Sequence, residues 1–348
     1  MKNCFKSMLF TALGSAIVIP ASAQKSTWKP AGDRIKTEWA AKVDPAKTLP
    51  EYPRPQLKRE NWQNLNGLWD YAITPKNAAK PASFAGKILV PFAVESSLSG
   101  VEKTVGKDSV LWYHAVFTAK KSGKRTLLHF GAVDWRSEIW VNGKKAGSHE
   151  GGFDPFTLDI TPHLKGSKID LVVKVWDPTD EGPQPRGKQQ KKPEGIWYTP
   201  VTGIWQTVWL EGVPESYIAS TKQTPDIDSK TLSFSADVDG ARSGDLIKVT
   251  VMDGTKKVKE QSFAAKSTAK ISINDPKLWS PESPFLYDLK VELTRGGKKI
   301  DEVSSYFAMR KSSIGVDDKG IKRMLLNNKF VFQFGPLDQG WWPDGLYT

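Results

Sequence analysis

Short runs of alternating apolar and polar residues dominate the chain from about residue 59 to residue 213. One such run places three aromatic or aliphatic side chains on one face: Trp69, Tyr71 and Ile73. A period of two predicts β-strands, because successive side chains point to opposite faces of a sheet. Asn142-Gly143 follows the run 138–141 and predicts a tight hairpin, since both central residues need positive φ. The segment predicts a double-sheet sandwich of the jelly-roll type, without amphipathic helices.

The pattern changes after residue 213. Residues 214–311 contain shorter runs rich in Lys, Ser and Thr, including 247–251 and 287–293. Six or seven such strands in about 100 residues are typical of a small immunoglobulin-like β-sandwich. The segment 312–348 contains an apolar run at 330–334, which predicts one buried strand ending before Gly335-Pro336. This last segment is too short to form a core of its own, and the predicted fold class is all-β.

The N-terminal residues predict a targeting signal followed by an extended segment, here called the lead-in. A basic start, an apolar stretch at 8–19 and small residues up to Ala23 are typical of a signal peptide cleaved near Ala23. We therefore expect an exported protein, periplasmic or secreted. Cys4, the only cysteine, would be removed with the signal, which leaves no disulfide and no Cys-based metal site. Residues 24–58 contain five prolines and predict an extended lead-in.

Composition and charge narrow the class of protein. Hydrophobic residues make up 39% and charged residues 25%, which excludes a disordered chain, and no apolar run reaches the roughly 20 residues of a membrane span. The net charge of +12 permits nucleic-acid binding, but the lysines are scattered and no nucleic-acid motif accompanies them. The four histidines show no ligand spacing, and no cofactor fingerprint is present. We expect no nucleic-acid partner, no metal and no cofactor.

Four stretches, taken in order, resemble glycoside hydrolase family 2, which includes β-galactosidases, β-glucuronidases and β-mannosidases. They are RENWQNLNGLW at 59–69, GAVDWRSEIWVNGKKAGSHEGGFDPFTLDITPHL at 131–164, WYTPVTGIWQTVWL at 197–210, and the segment from LWSP to LNNK at 278–329. The second stretch is the most specific. Each motif alone is weak, whereas the ordered set covers nearly all of the chain after residue 23.

The resemblance implies a domain order that corresponds to the N-terminal portion of the family. A galactose-binding-like jelly roll comes first, an immunoglobulin-like domain follows, and only the first strand of a (β/α)8 barrel is present. The expected divisions are a signal peptide at 1–23, a Pro-rich lead-in at 24–58, the sugar-binding jelly roll at 59–213, the immunoglobulin-like domain at 214–311 and the truncated start of the barrel at 312–348.

The family's chemistry predicts where site residues belong. Retaining glycosidases use two carboxyl groups about 5–5.5 Å apart, and in this family both lie on later barrel strands, so we assign no catalytic residue. Asp338, Trp341 and Trp342 follow the predicted barrel strand and are predicted to contact substrate, because Trp faces stack on sugars. An equally weighted alternative is that the two Trp pack against one of the sandwiches. Glu194 offers no clear match to the acidic sugar contact of some galactosidases, which argues against galactose specificity.

The resemblance therefore implies a glycosidase of O-glycosyl bonds, an exo-β-glycosidase of the β-galactosidase type in carbohydrate metabolism. The chain would supply the non-catalytic N-terminal domains and be inactive alone. Its expected partners are a β-linked oligosaccharide or polysaccharide and a separate polypeptide that carries the barrel. One alternative is a non-catalytic carbohydrate-binding or adhesion module. Another is a structural scaffold or a degenerate gene product.

Overall fold

The computed structural model describes residues 28–120 and 123–348. These residues form β-strands, loops and four short 3-10 helices, and none of them lies in an α-helix. The 3-10 helices are Glu38–Lys42, Pro55–Leu57, Ser97–Ser99 and Thr161–His163. The all-β prediction is confirmed. The predicted signal peptide lies outside the described residues.

The first sandwich contains twelve strands of the described part of the chain. They are β1 (Trp62–Asn64), β2 (Gly67–Pro75), β3 (Gly86–Val90), β4 (Ser109–Thr118), β5 (Arg125–Phe130), β6 (Val133–Asp134), β7 (Arg136–Val141), β8 (Lys144–Glu150), β9 (Phe156–Asp159), β10 (Lys168–Trp176), β11 (Gly203–Ile204) and β12 (Val208–Val213). A six-stranded antiparallel sheet has the order β3-β2-β4-β10-β7-β8, a four-stranded sheet has the order β1-β12-β5-β9, and β6 pairs with β11. The two large sheets contribute to one hydrophobic core.

Alternation along the strands decides which side chains enter that core. In β10, Leu171 and Val173 are fully buried in the core, whereas Lys174 points to the opposite face of the sheet. The hairpin between β7 and β8 turns at Asn142 and Gly143, whose φ angles are 51° and 78°. Both values lie in the left-handed region that a two-residue turn requires. The hairpin prediction is therefore confirmed.

The second sandwich follows directly. It consists of β13 (Tyr217–Asp226), β14 (Thr231–Asp239), β15 (Leu246–Asp253), β16 (Lys256–Ala264), β17 (Ala269–Ser272), β18 (Tyr287–Arg295) and β19 (Lys298–Phe307). A three-stranded sheet with the order β13-β14-β17 and a four-stranded sheet with the order β16-β15-β18-β19 share a separate apolar core. This two-sheet arrangement of seven short antiparallel strands is immunoglobulin-like.

The last strands correct one sequence prediction. β20 (Ser312–Val316), β21 (Lys322–Leu326) and β22 (Lys329–Phe330) form a small antiparallel sheet. The predicted buried strand at 330–334 is wrong, because β22 ends at Phe330 and the side chains of Phe332 and Phe334 are 75% and 95% exposed. The Val331 N–H donates to the carbonyl of Met324 in β21 over 3.4 Å, but no described strand pairs with residues 332–334. An apolar run forms a buried strand only where neighbours satisfy its backbone and cover its side chains.

The lead-in joins the two sandwiches through a group of buried ionisable side chains, here called the junction network: Tyr52, Arg54, Arg59, Glu211 and Asp301. Arg59 donates to Asp301 of the second sandwich over 2.5 Å, and its Nε lies 3.2 Å from Glu211 of the first. Glu211 also accepts hydrogen bonds from Tyr52 at 2.5 Å and from Arg54 at 2.7 Å. Each buried carboxylate thus has a cationic partner.

The protonation of the junction network reflects this pairing. Burial alone would raise the pKa of Glu211, but the neighbouring His129, whose Nε2 lies 3.6 Å from the carboxylate, and the charge of Arg54 outweigh it and hold that pKa well below its usual range. Burial lowers the pKa of His129, whose ring stacks on Trp209. The Nδ1 of His129 also lies 2.8 Å from the hydroxyl of Thr157.

Candidate functional site

The candidate site lies where loops converge at one end of the first sandwich. The contributing segments are the loop after β3, the loop 151–155 between β8 and β9, the long connection 177–202 between β10 and β11, and the C-terminal segment 337–348. Strands β7 and β10 run antiparallel, so that residues just before β7 and just after β10 meet at this end. The sheet therefore brings together side chains that are distant in sequence.

The C-terminal segment is anchored on these loops by hydrogen bonds. The carboxylate of Asp344 accepts from the backbone N–H and the hydroxyl of Thr37, at 2.7 and 2.8 Å. The Asp344 carbonyl accepts from the hydroxyl of Ser96 at 2.6 Å, and the hydroxyl of Thr348 donates to the carbonyl of Trp205 at 2.6 Å. Asp344 is 2% exposed. Residues 344–348 are thus held against the first sandwich.

Five aromatic rings form a continuous group, here called the aromatic cluster: Phe153, Tyr198, Trp205, Trp341 and Tyr347. Trp341 stacks on Tyr198 with ring centroids 4.8 Å apart, and Tyr347 meets Trp341 edge-on at 4.7 Å. Tyr347 also lies 5.0 Å from Trp205 and 5.7 Å from Phe153. Phe153 is 45% exposed. Partly exposed ring faces beside polar groups are typical of a ligand-binding surface.

The three residues predicted to contact substrate have different environments in the structure. Trp341 is half-buried in the aromatic cluster, so it packs against the first sandwich, as the alternative interpretation expected. Trp342 is 50% exposed, and its backbone pairs with that of Leu346. Asp338 is exposed, and its carboxylate accepts from the Gly340 N–H at 2.8 Å. A role in sugar binding remains a prediction for Asp338, Trp341 and Trp342.

A buried carboxyl group lies close to the aromatic cluster. Asp134 is 2% exposed and accepts a hydrogen bond from the Gln189 side chain at 3.3 Å. Gly152 approaches it so closely that a Cβ at position 152 would lie 2.6 Å from the Asp134 carboxyl carbon. The Gly152 carbonyl accepts from the indole N–H of Trp205 at 2.7 Å. The close approach of Gly152 therefore links Asp134 to the aromatic cluster.

Two further buried carboxyl groups complete what we call the acidic cluster: Glu95, Asp134 and Asp177. One oxygen of Glu95 accepts from the Thr202 N–H at 2.8 Å, and the other has no hydrogen-bond partner among the described residues. Asp177 accepts from the Thr179 N–H at 2.8 Å and from the Thr202 hydroxyl at 3.0 Å. All three side chains are 2% exposed.

The acidic cluster has no cationic partner in the described part of the chain. None of the ion pairs formed there includes a member of the cluster. Burial raises the pKa of all three groups, and for Asp177 the charge of Asp180 adds to this effect. The pKa values of Glu95 and Asp134 rise well above their usual range, first through burial and then through the charge of Asp177. Burial and the charge of Asp134 also raise the pKa of Tyr347. The cluster therefore retains protons that exposed carboxyl groups would lose.

Raised pKa values in buried carboxyl groups are common at functional sites, where they keep a group available as an acid. Glycoside hydrolysis, however, requires two carboxyl groups that flank the scissile bond, one on each side. The acidic cluster is enclosed, and its members hydrogen-bond mainly to backbone and side-chain groups of the loops. As arranged here, it can hold protons and position loops, but it presents no pair of carboxyl groups to a substrate.

The acidic cluster was missed by the sequence analysis, although a signal existed. Asp177 immediately follows the alternating run of β10, and a polar residue just after a buried strand lies at a loop end of the sheet. The charged residues of the nearby loop form local contacts instead: Glu150 pairs with Arg136 at 2.7 Å, and the Asp154 carboxylate lies 3.2 Å from the Nε2 of His149. Glu194 is exposed and has no side-chain contact that the structure assigns to it.

Within 28–120 and 123–348, no group of three or more His, Cys, Asp or Glu side chains is arranged to hold a metal ion. In the same part of the chain, no helix is long and apolar enough to cross a membrane.

Comparison with known families agrees with the fold. Residues 84–204 match the family described as "Glycosyl hydrolase 2 galactose-binding domain-like", and residues 216–310 match "Glycosyl hydrolases family 2". The first match covers most of the first sandwich together with the candidate site's long connection. The second covers nearly all of the second sandwich.

Individual relatives carry similar names. A "Putative beta-glucuronidase" of Formosa agariphila is 34% identical over 280 residues, which cover 74% of this chain and 32% of that protein. A "Beta-glucuronidase" of Paenibacillus borealis is 22% identical, with 81% of this chain and 50% of that protein covered. The crystal structure of Ruminococcus gnavus β-glucuronidase superposes with a TM-score of 0.66 at 21% identity, over 82% of this chain and 50% of that chain.

The fold and the matched segments define a class of protein, namely the β-sandwich domains found in glycosidases. The chain belongs to glycoside hydrolase family 2, and it corresponds to the N-terminal part of the relatives that it matches. It spans about a third to a half of the length of the relatives described here.

Proposed function

We propose that these residues form the non-catalytic N-terminal domains of a family 2 exo-β-glycosidase that hydrolyses O-glycosyl bonds of β-linked glycosides. The reacting carboxyl groups would come from a (β/α)8 barrel on a separate polypeptide. The observation that carries this proposal is the enclosure of the acidic cluster, whose three members are each 2% exposed. The relatives named above are β-glucuronidases, which supports a β-glucuronide as the substrate.

An exposed apolar surface in the last segment supports the same proposal. Ile314, Phe332, Phe334 and Leu337 are between 75% and 95% exposed. A contiguous apolar surface on a folded protein usually contacts another protein surface. A barrel packed on this segment would cover these side chains.

The test is a hydrolysis assay of the purified chain with p-nitrophenyl β-galactoside, β-glucuronide and β-mannoside. We expect turnover at the level of an enzyme-free blank. A fusion of these residues to the remaining part of the Formosa agariphila relative is expected to release p-nitrophenol. Turnover by the 348-residue chain that disappears in an Asp134→Asn, Glu95→Gln double variant would contradict the proposal.

A second candidate function is a carbohydrate-binding or adhesion module, which the partly exposed aromatic cluster favours. This function predicts saturable binding to a glycan array and a protein that stays monomeric at high concentration. The apolar surface at 314–337 favours the first proposal, because a module that acts alone would expose it to self-association. Sedimentation velocity over a range of concentrations separates the two.

We also propose that the protein is exported, because residues 1–23 have the pattern of a cleaved signal. The N-terminal sequence of the protein recovered from a periplasmic or culture-medium fraction would begin at Gln24. Recovery of the uncleaved chain from the cytoplasm alone would contradict this proposal.

A further inference from the structure

A cleft lies at the end of the first sandwich opposite the candidate site. Strand β10 runs from Lys168 towards Asp177, and its antiparallel neighbour β7 runs away from Asp134. The hairpin turn after β7 and the connection before β10 therefore meet at the far end of these strands. Between them is a cavity of about 450 Å³, comparable in size to a small-ligand site.

The lining of this cleft is positively charged. Lys144, Lys165 and Lys168 line it together with His163, and none of its lining residues is acidic. No ion pair of the described residues involves any of the three lysines. Several other cations of the first sandwich do have acidic partners, such as Lys145 with Glu138 and Arg125 with Asp159. Three uncompensated ammonium groups around one concavity create a local positive potential.

A set of partly buried hydrogen bonds joins the two walls of the cleft to each other. The Asn142 side chain donates to the His163 carbonyl at 2.9 Å and accepts from the Asp170 N–H at 3.0 Å. Its backbone N–H donates to the Asp170 carbonyl at 2.8 Å. The backbone of Lys144, on one wall, is therefore held at a set position relative to the backbone of Lys168, on the other. The lysine side chains themselves are exposed.

We propose that this basic cleft binds anionic groups, sulfate or carboxylate, of a polysaccharide, and that it does so independently of the candidate site at the other end of the sandwich. The three lysines supply the charge, and the walls set their spacing. A polysaccharide held here would remain near the protein while another of its ends is processed.

The choice of a polysaccharide over another polyanion rests on the proposed function, whereas the preference for anions rests on the cleft alone. Proteins that bind single-stranded nucleic acid place aromatic rings along a basic groove so that bases can stack. The cleft contains Pro162 and no Phe, Tyr or Trp. Its chemistry suits point charges on a saccharide better than stacked bases.

The test is isothermal titration calorimetry of the full chain with a sulfated galactan oligosaccharide, an oligogalacturonate and a neutral galacto-oligosaccharide of equal length. We expect saturable binding of at least one anionic oligosaccharide, weakened by added salt, and none of the neutral one. The sulfated and carboxylated ligands show which anion the cleft prefers. No hydrolysis is measured, so the result is independent of whether a barrel completes the enzyme.

Two variants locate the binding. The triple change Lys144→Gln, Lys165→Gln, Lys168→Gln is expected to weaken binding at least about tenfold, because it removes the local charge. A matched control, Lys80→Gln, Lys222→Gln, Lys319→Gln, makes the same change in net charge at exposed, dispersed positions and should stay within about twofold. Gly166→Trp adds a large uncharged side chain to the cleft lining, where an added Cβ meets no atom within 4 Å, and should also weaken binding at least about tenfold.

Three results would overturn the proposal. Equal losses in the cleft triple and in the control triple would show non-specific attraction. Retained binding in Gly166→Trp would place the ligand elsewhere. Tighter binding of single-stranded DNA than of either anionic oligosaccharide, lost in the cleft triple, would assign the cleft to nucleic acid instead.

Discussion

The junction network between the two sandwiches and the acidic cluster at the loop end of the first sandwich both bury several ionisable groups, but they balance charge in opposite ways. In the junction network, Arg59 lies between two carboxylates, and the pKa of Glu211 is held below its usual range. In the acidic cluster, three carboxyl groups share one interior without a cation, and burial raises their pKa values. A buried charge that is fully paired serves structure, whereas a cluster that retains protons sits at the loop end where ligands can bind.

The largest expected effect comes from breaking the junction network. Arg59→Met keeps much of the side-chain volume but leaves Asp301 and part of Glu211 buried without a cation. We expect the free energy of unfolding to fall by about 3–5 kcal/mol, measured by urea denaturation. The control is Arg242→Met, whose pair with Glu215 is exposed on both sides and should cost at most about 1 kcal/mol. Equal losses in the two variants would show that the junction is not specially coupled.

Gly152→Ala tests how tightly the acidic cluster is packed. The added methyl group would lie 2.6 Å from the carboxyl carbon of Asp134, so one of the two must shift. We expect a loss of about 1–3 kcal/mol in the free energy of unfolding, as for other overpacked interiors. Gly166→Ala is the control, because its methyl group meets no neighbour within 4 Å. An unchanged Gly152→Ala protein would indicate a loosely packed cluster.

The pH dependence of stability should have opposite signs in the two regions. A carboxyl group with a raised folded pKa, such as Glu95, favours the folded state at low pH and loses that contribution as pH rises above its unfolded value of 4.5. Glu211, with a lowered folded pKa, contributes above 4.5 and loses that contribution as pH falls.

Glu95→Gln should therefore flatten the stability curve above pH 4.5, and Glu211→Gln should flatten it below that pH. Each slope is at most about 1.4 kcal/mol per pH unit for one group. Urea denaturation at a series of pH values measures both. Variants that change the same side of the curve would remove the proposed distinction between the regions.

The smallest effects separate the two tryptophans beside the acidic cluster. Trp341→Leu removes contacts with Tyr198 and Tyr347, and we expect a cost of about 1 kcal/mol. Trp342→Leu changes an exposed side chain and should alter stability by less than about 0.5 kcal/mol. Glycan-array binding of both variants then shows which ring contacts sugar. Equal stability losses would indicate that Trp342 is also packed.

The hydrophobic pattern of the sequence was sufficient to predict the strands of the first sandwich, but not the structure of the last segment. The alternation of β10 and the Asn142-Gly143 turn depend on local stereochemistry, so the chain itself specifies them. Whether residues 330–334 form a buried strand depends instead on the presence of pairing neighbours. The apolar side chains of this run that lie beyond Phe330 are therefore exposed.

The candidate site also has features that the sequence predicted and features that only the folded structure shows. Trp341 was recognised from the resemblance, but its stacking on Tyr198, 143 positions earlier, follows from the way the C-terminal segment is anchored. Glu95, Asp134 and Asp177 stand in three separate stretches without a common spacing. Only the antiparallel order of the six-stranded sheet and the loop after β3 bring them into one interior.

The sequence by itself determined the all-β class, the strand faces and the family, because each of these depends on residues that are close together along the chain. Tertiary structure alone decided which charges meet. A carboxyl group acquires its proton affinity from its neighbours and its distance from water, and these neighbours come from remote segments. Arg59 beside Glu211, and Glu95 without any cation, are therefore visible only in the folded protein.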